Sequence, residues 1–155
     1  LRGFANATQD FLLEPEGFSV LMERMVGFGC ALMRAAVRHG FHGIRFADDW
    51  GTHLGLMISP ALWRELFKPR YARQFALAHA LGLHPWHHCG GEFLAIMEDF
   101  SEIGVEVLNI TSLAAALTRR GVRLTSPGIR SKLAASKGFP VQKQILRIRR
   151  DKAGL

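Results

Sequence analysis

Cysteine is nearly absent: Cys30 and Cys89 are the only two in 155 residues. Two thiols make no disulfide framework, so a reducing compartment is the expectation and the cytoplasm the expected location. Long apolar runs are also missing. No 18-residue apolar stretch occurs, which predicts no membrane span. The first residues show no positive cluster ahead of an apolar run, so no secretory signal is read there. Acids are scarce in one place only. Residues 118–155 hold 11 Lys and Arg against the single Asp151, whereas residues 1–117 hold 9 against 12 acids. The formal net charge of +7 is therefore carried by the tail. That tail has one aromatic, Phe139, and no recognised reading motif, so nucleic acid is not an expected partner. Also missing are G-x-G-x-x-G, a Walker loop, G-x-S-x-G and H-E-x-x-H. The length excludes a complete (β/α)8 barrel, which needs about 250 residues.

What is present alternates between helical patterns and short apolar runs. Pro15 suits a first helical turn, and Val20, Leu21, Met25, Phe28, Leu32 and Val37 recur at helical spacing before Gly40. Ser59-Pro60 predicts a second helix start, running past Leu62, Leu66, Tyr71 and Phe75 to Gly82, with a bend at Pro69. Phe93, Ile96, Met97 and Phe100 mark a third helix ending at Gly104, and Thr111 or Ser112 can cap a short one over 113–117. Between them, 43–47, 83–87 and 105–108 read as short buried strands. This order predicts an α/β fold with a parallel sheet of three or four strands. Residues 122–124 are a candidate fourth strand, and weak helical patterns follow near 129–135 and 141–150. We expect a body over 1–117 and a basic, loosely packed tail over 118–155.

The polar residues gather where the candidate strands end. Asp48 and Asp49 follow the first, His87 and Cys89 the second, Asn109 the third. In a parallel sheet these ends share one edge, where such folds build their sites. His87 and Cys89 are two residues apart, so in an extended chain they point to one side, and an imidazole and a thiolate suit Zn²⁺. His88 points the other way, toward packing or a local bond. Asp48 and Asp49 face opposite sides, so one of them serves a pocket as acid, base or orienting group while the other caps the next segment. Trp50 either walls that pocket or packs in the core, and His53 is a candidate lining residue. Gly90-Gly91 can bring backbone N–H groups to an anion.

Several stretches carry a family resemblance: Phe46-Ala47-Asp48-Asp49-Trp50-Gly51-Thr52, Ile58-Ser59-Pro60, Phe67-Lys68-Pro69-Arg70, His87-His88-Cys89-Gly90, and Glu102 to Val105 ending at Leu108-Asn109. From about Asp10 to Asn109 the chain resembles the uroporphyrinogen decarboxylase-like superfamily, which implies part of a (β/α)8 TIM barrel. The Asp-Asp-x-Gly-Thr and His-x-Cys-Gly wording is most similar to the cobalamin- or corrinoid-linked methyltransferase branch. That resemblance implies His87 and Cys89 as zinc ligands, and zinc holding a small thiol acceptor as a thiolate. A corrinoid protein or methylcobalamin is then the methyl donor. The candidate catalytic acids are Asp48 and Asp49, with Trp50, His53 and Asn109 as candidates on the substrate side. The pattern departs from the branch at the zinc site, where its third ligand is a downstream cysteine and no cysteine follows Asn109, and the basic tail from Arg119 onward does not resemble final barrel strands. Zinc is therefore expected to bind weakly and the chain to be an incomplete methyltransferase. The alternatives are uroporphyrinogen decarboxylase, in porphyrin biosynthesis, and a non-catalytic interaction protein that forms a homo-oligomer or pairs with a missing barrel segment.

Overall fold

The computed structural model describes residues 3–110 and the backbone of residues 144–147. Helix α1 (Phe4–Leu13) precedes the long helix α2 (Pro15–Arg38). Strand β1 (Gly43–Ala47) follows, then α3 (Pro60–Leu66), α4 (Lys68–Ala80) and β2 (His84–Cys89). A 3₁₀ turn (Leu94–Ile96) leads into α5 (Met97–Glu102), β3 (Val107–Ile110) and β4 (Gln144–Arg147).

Local chemistry accounts for most boundaries. Pro15 opens α2 at its first turn, where a missing N–H costs nothing. Ser59 Oγ accepts from the Leu62 N–H at 3.2 Å, and Pro60 takes the first helical position, as the sequence predicts. The bend expected at Pro69 is a break: α3 ends at Leu66 and α4 restarts at Lys68. The helices that feed β1 and β2 end alike. Phe41 N–H reaches back to the Ala36 carbonyl, and Leu83 N–H to that of Ala78, around Gly40 and Gly82 at φ 76° and 72°. This closure favours glycine because an L side chain strains there. Helix α1 was not foreseen. Gly3 stands at its N-cap, no side chain caps it and no acid lies in its first turn, so the sequence offers no start signal for it.

Strands β1, β2 and β3 run parallel, with Phe46 opposite His87, His87 opposite Leu108, and His88 opposite Asn109. The pairing carries β2 to Cys89 and β3 to Ile110, two residues beyond the expected ends. Cys89 and Asn109 are thus strand residues rather than loop residues. The sheet order is β1-β2-β3-β4 and the sheet is open, a partial barrel-type α/β fold. β4 pairs antiparallel to β3, Asn109 opposite Ile145. The helix expected near 141–150 is therefore replaced at 144–147 by a strand. Unpaired backbone on an outer strand favours an added strand, which outweighs a weak helical pattern. The other expectations for the tail, including the strand at 122–124, the helix at 129–135 and the loose packing, lie outside the described residues, as does the short helix at 113–117. No described helix is long and apolar enough to cross a membrane.

The core is largely aromatic and lies on the helix-covered side of the sheet. Trp63, Phe75, Phe93 and Phe100 are fully buried. Trp63 stacks near Tyr71 at 6.1 Å and meets Phe100 at 5.1 Å. Beside it, an ionic cluster ties α3 and α4 to α5. Arg64 Nε donates to both Asp99 oxygens at 3.0 and 3.1 Å, and Lys68 Nζ donates to Asp99 at 2.6 Å. Burial alone would raise the Asp99 pKa, but the bonds from Arg64 and Lys68 outweigh it and hold the carboxyl below its ordinary value. A depressed folded pKa contributes stability above the unfolded value, and that contribution is lost as pH falls through the folded one. Asp99→Asn should lower the melting temperature at pH 7. It should also flatten the stability loss below about pH 4, the ordinary carboxylate range, as read by urea denaturation across that range.

Candidate functional site

At the C-terminal ends of β1 and β2 two loops interlock. Asp49 Oδ1 accepts from the Gly90 N–H at 2.6 Å, and Glu92 N–H donates to the Thr52 carbonyl at 2.7 Å. The fit leaves no room for side chains. A Cβ on Gly91, itself at φ 70°, would lie 2.2 Å from the Gly51 carbonyl oxygen, and one on Gly51 would lie 2.5 Å from the Glu92 oxygen. The Gly90 N–H foreseen as meeting an anion does so, and the anion is the chain's own Asp49.

The interlock sorts the predicted site residues onto two sides of the sheet. On the helix side, Trp50 N–H points at Cys89 Sγ, 3.4 Å away. Tyr71 OH donates to Asp48 Oδ2 at 2.7 Å and accepts from Trp50 Nε1 at 3.2 Å. The Trp50 ring packs 4.5 Å from Phe67, so it both joins the core and walls an open cavity that Asp48 also lines. Much of the Asp48 residue surface is open, but its carboxyl end is turned in against Tyr71. Burial of that end, and secondarily the neighbouring Asp49 charge, raise its pKa against the Tyr71 hydrogen bond. Burial pushes the Tyr71 hydroxyl well above the ordinary tyrosine value, so it keeps its proton.

His87 lies deeper on the same side. It is fully buried, stacked on Phe100 at 4.4 Å and edge-on to Tyr71 at 5.5 Å. Neither ring nitrogen makes a hydrogen bond of ordinary geometry, although the Asp48 backbone lies near enough to favour the charged ring slightly. Burial dominates, with His88 adding to it, and lowers the pKa to about 3, so the ring is neutral. Cys89 is likewise buried, and burial pushes its thiol up to about 12. As the spacing predicts, the two share a face.

On the opposite side, His88 Nδ1 lies 2.6 Å from Asn109 Oδ1, and His88 Nε2 lies 3.8 Å from Asp49 Oδ1. With the amide oxygen toward the ring, Nδ1 carries the proton and Nε2 remains free to accept one. Strand alternation puts Arg45 and Trp86, paired across β1 and β2, on this same face. Both are exposed there. The structure thus divides the predicted set. Asp48, Trp50, His87 and Cys89 fall together, while Asp49 and Asn109 gather around His88. His53 stays exposed in the loop that Thr52 closes onto the Gly55 carbonyl, and no contact joins it to either group. His88, Tyr71 and Arg45 were not among the predicted site residues. For His88 the available signal was alternation, which had already turned it away from His87 and Cys89.

The buried imidazole gives a pH prediction. His87 takes up a proton on unfolding between its ordinary value of 6.5 and about 3. Its folded pKa is depressed, so stability is complete above 6.5 and declines as pH falls below it. One proton corresponds to about 1.4 kcal/mol per pH unit. His87→Phe should remove that slope between pH 6 and 4.5, as read by denaturant unfolding at several pH values. An unchanged slope would mean that His87 is not the group taking up the proton.

No curated protein and no solved structure matches the chain significantly. A match does come from the family described as Uroporphyrinogen decarboxylase (URO-D), over residues 1–126. That span takes in the three parallel strands, the glycine-closed helices and both sides of the strand-end site, and the chain belongs to the uroporphyrinogen decarboxylase (URO-D) family.

Proposed function

We propose that the chain forms part of the substrate wall of a URO-D-type barrel that decarboxylates a carboxylated tetrapyrrole. The observation that carries this reading is the set Arg45, His88, Asn109 and Asp49 on the face of the sheet opposite the described helices, at or near its C-terminal edge. In a closed barrel of this kind that face is the interior, and the strand ends hold the chemistry. Loss of CO₂ from a side-chain acetate replaces the carboxylate with a proton at the same carbon. The site must therefore hold carboxylates and move a proton. Arg45 offers a guanidinium for a carboxylate. His88 offers Nε2 for proton transfer, with Asn109 Oδ1 beside Nδ1 to fix its tautomer and Asp49 Oδ1 3.8 Å from Nε2.

A second reading, zinc- and corrinoid-linked methyl transfer, draws on one observation: His87 is buried with both nitrogens unpartnered, on the same strand face as Cys89. The donor set does not fit a zinc site. No group of three or more His, Cys, Asp or Glu able to hold a metal occurs among the described residues. The Cys89 thiol is engaged by the Trp50 N–H and held protonated by burial. No step through zinc is derived.

Binding of uroporphyrin III, the oxidised form of the tetrapyrrole, tests the proposal. Trp86, on the proposed face and 38% exposed, serves as a fluorescence reporter. Saturable quenching is expected. Arg45→Ala and His88→Ala should each weaken it roughly tenfold, the loss of one hydrogen bond to a charged group. Cys89→Ala should leave it within about twofold, since no such bond is removed. Absence of quenching would overturn the reading. So would zinc-dependent methyl transfer from methylcobalamin to a thiol that Cys89→Ala abolishes.

A further inference from the structure

The helix-covered side holds a feature that tetrapyrrole chemistry does not use. Between α2, α4 and the end of β1 lies an open cavity of about 710 Å³. Its walls are mainly apolar, with Leu21, Met22, Val26 and Phe28 from α2 facing Phe46 and Phe67. That volume is within the range of small-molecule sites, which combine apolar walls with a few convergent polar groups. Here the polar group is the Asp48 carboxyl. Tyr71 OH is fully occupied, donating to Asp48 Oδ2 and accepting from Trp50 Nε1, so it orients the carboxyl and is not itself offered to a ligand. Asp48 Oδ1 has no hydrogen-bond partner among the described residues.

We infer that this cavity binds an uncharged, compact hydrophobic alcohol whose hydroxyl donates to Asp48. Charge selects this class over two others. An organic cation would meet Arg24, which lines the cavity. An organic anion would meet the Asp48 carboxyl, and Arg70 is already committed to Glu23, Ser19 Oγ and the Leu66 carbonyl. A neutral donor meets neither obstacle, and the carboxyl accepts its hydrogen bond through the free oxygen. Gly29 lets α2 approach the Gln74 side chain, which also borders the space: a Cβ there would lie 2.6 Å from Gln74 Oε1.

Two probes separate the hydroxyl from the apolar body: cyclohexanol, and its methyl ether, which lacks the donor. Methyl-resolved NMR of ¹³C-methionine-labelled protein reads binding directly, because Met22 and Met25 line the cavity. Cyclohexanol should shift both methyl signals saturably and bind roughly tenfold more tightly than the ether, the value of one hydrogen bond to a charged group. Asp48→Ala should reduce that preference to within twofold while leaving ether binding in place. Met25→Trp, at a residue 53% exposed and so tolerant of bulk, should weaken both probes at least tenfold. Shifts that stay linear to the solubility limit would overturn the inference. So would an alcohol preference that survives Asp48→Ala, or binding untouched by Met25→Trp. If Asp48→Ala does not fold, the wild-type preference together with Met25→Trp decides. Uroporphyrin quenching of Trp86, on the other face, is a separate readout, so failure of either reading is distinguishable from failure of the other.

Discussion

The hydrogen bond from the Gly90 N–H to the Asp49 carboxylate fixes the geometry of the strand ends. At 2.6 Å it joins the exit of β1 to the exit of β2, and the surrounding backbone is packed too closely for any residue but glycine at 51 and 91. Once Asp49 is held there, backbone alternation turns Asp48 to the other side, where Tyr71 receives it. The next residue then lays its N–H against Cys89. One short contact thus determines which acid serves which face. It also explains why the Gly-Gly pair carries no free anion site.

Elements set by local chemistry were legible in the sequence. Proline at a first turn, a serine cap and glycine closures gave α2, the start of α3 and the ends at Gly40 and Gly82, while the break before α4 was read only as a bend at Pro69. Short apolar runs between them gave the three parallel strands. Features set by pairing or long-range packing were not legible. The extension of β2 to Cys89 and of β3 to Ile110 depends on register, which no single strand encodes. The pairing of 144–147 with β3 joins residues more than thirty positions apart along the chain, so no local pattern announces it. The site shows the same division. The opposed directions of Asp48 and Asp49, and of His87 and His88, follow from the two-residue strand period alone. The His88–Asn109 contact needs the β2–β3 register, and the Asp48–Tyr71 contact needs the packing of α4 on β1. For that reason Asn109 was recognised while its partner was not.

The metal reading failed to gain support for a physical reason within the same pattern. Residues two apart on a strand do share a face, and His87 and Cys89 do. The spacing does not say whether that face meets helices or the barrel interior. Here it meets helices, and an aromatic core surrounds the imidazole. A neutral ring without hydrogen bonds is costly to bury, and His87 accepts that cost in exchange for stacking on Phe100. The thiol beside it is buried too, and burial raises rather than lowers its pKa.

The two faces are nevertheless linked through the backbone between residues 48 and 49. Asp49 is the lesser of the two influences that raise the Asp48 pKa, after burial. The adjacent acids therefore face different surroundings: Asp49 is held by the Gly90 N–H on one side of the sheet, and the Asp48 carboxyl is turned in against Tyr71 on the other. Burial, more than the neighbouring charge, is what sets Asp48 apart.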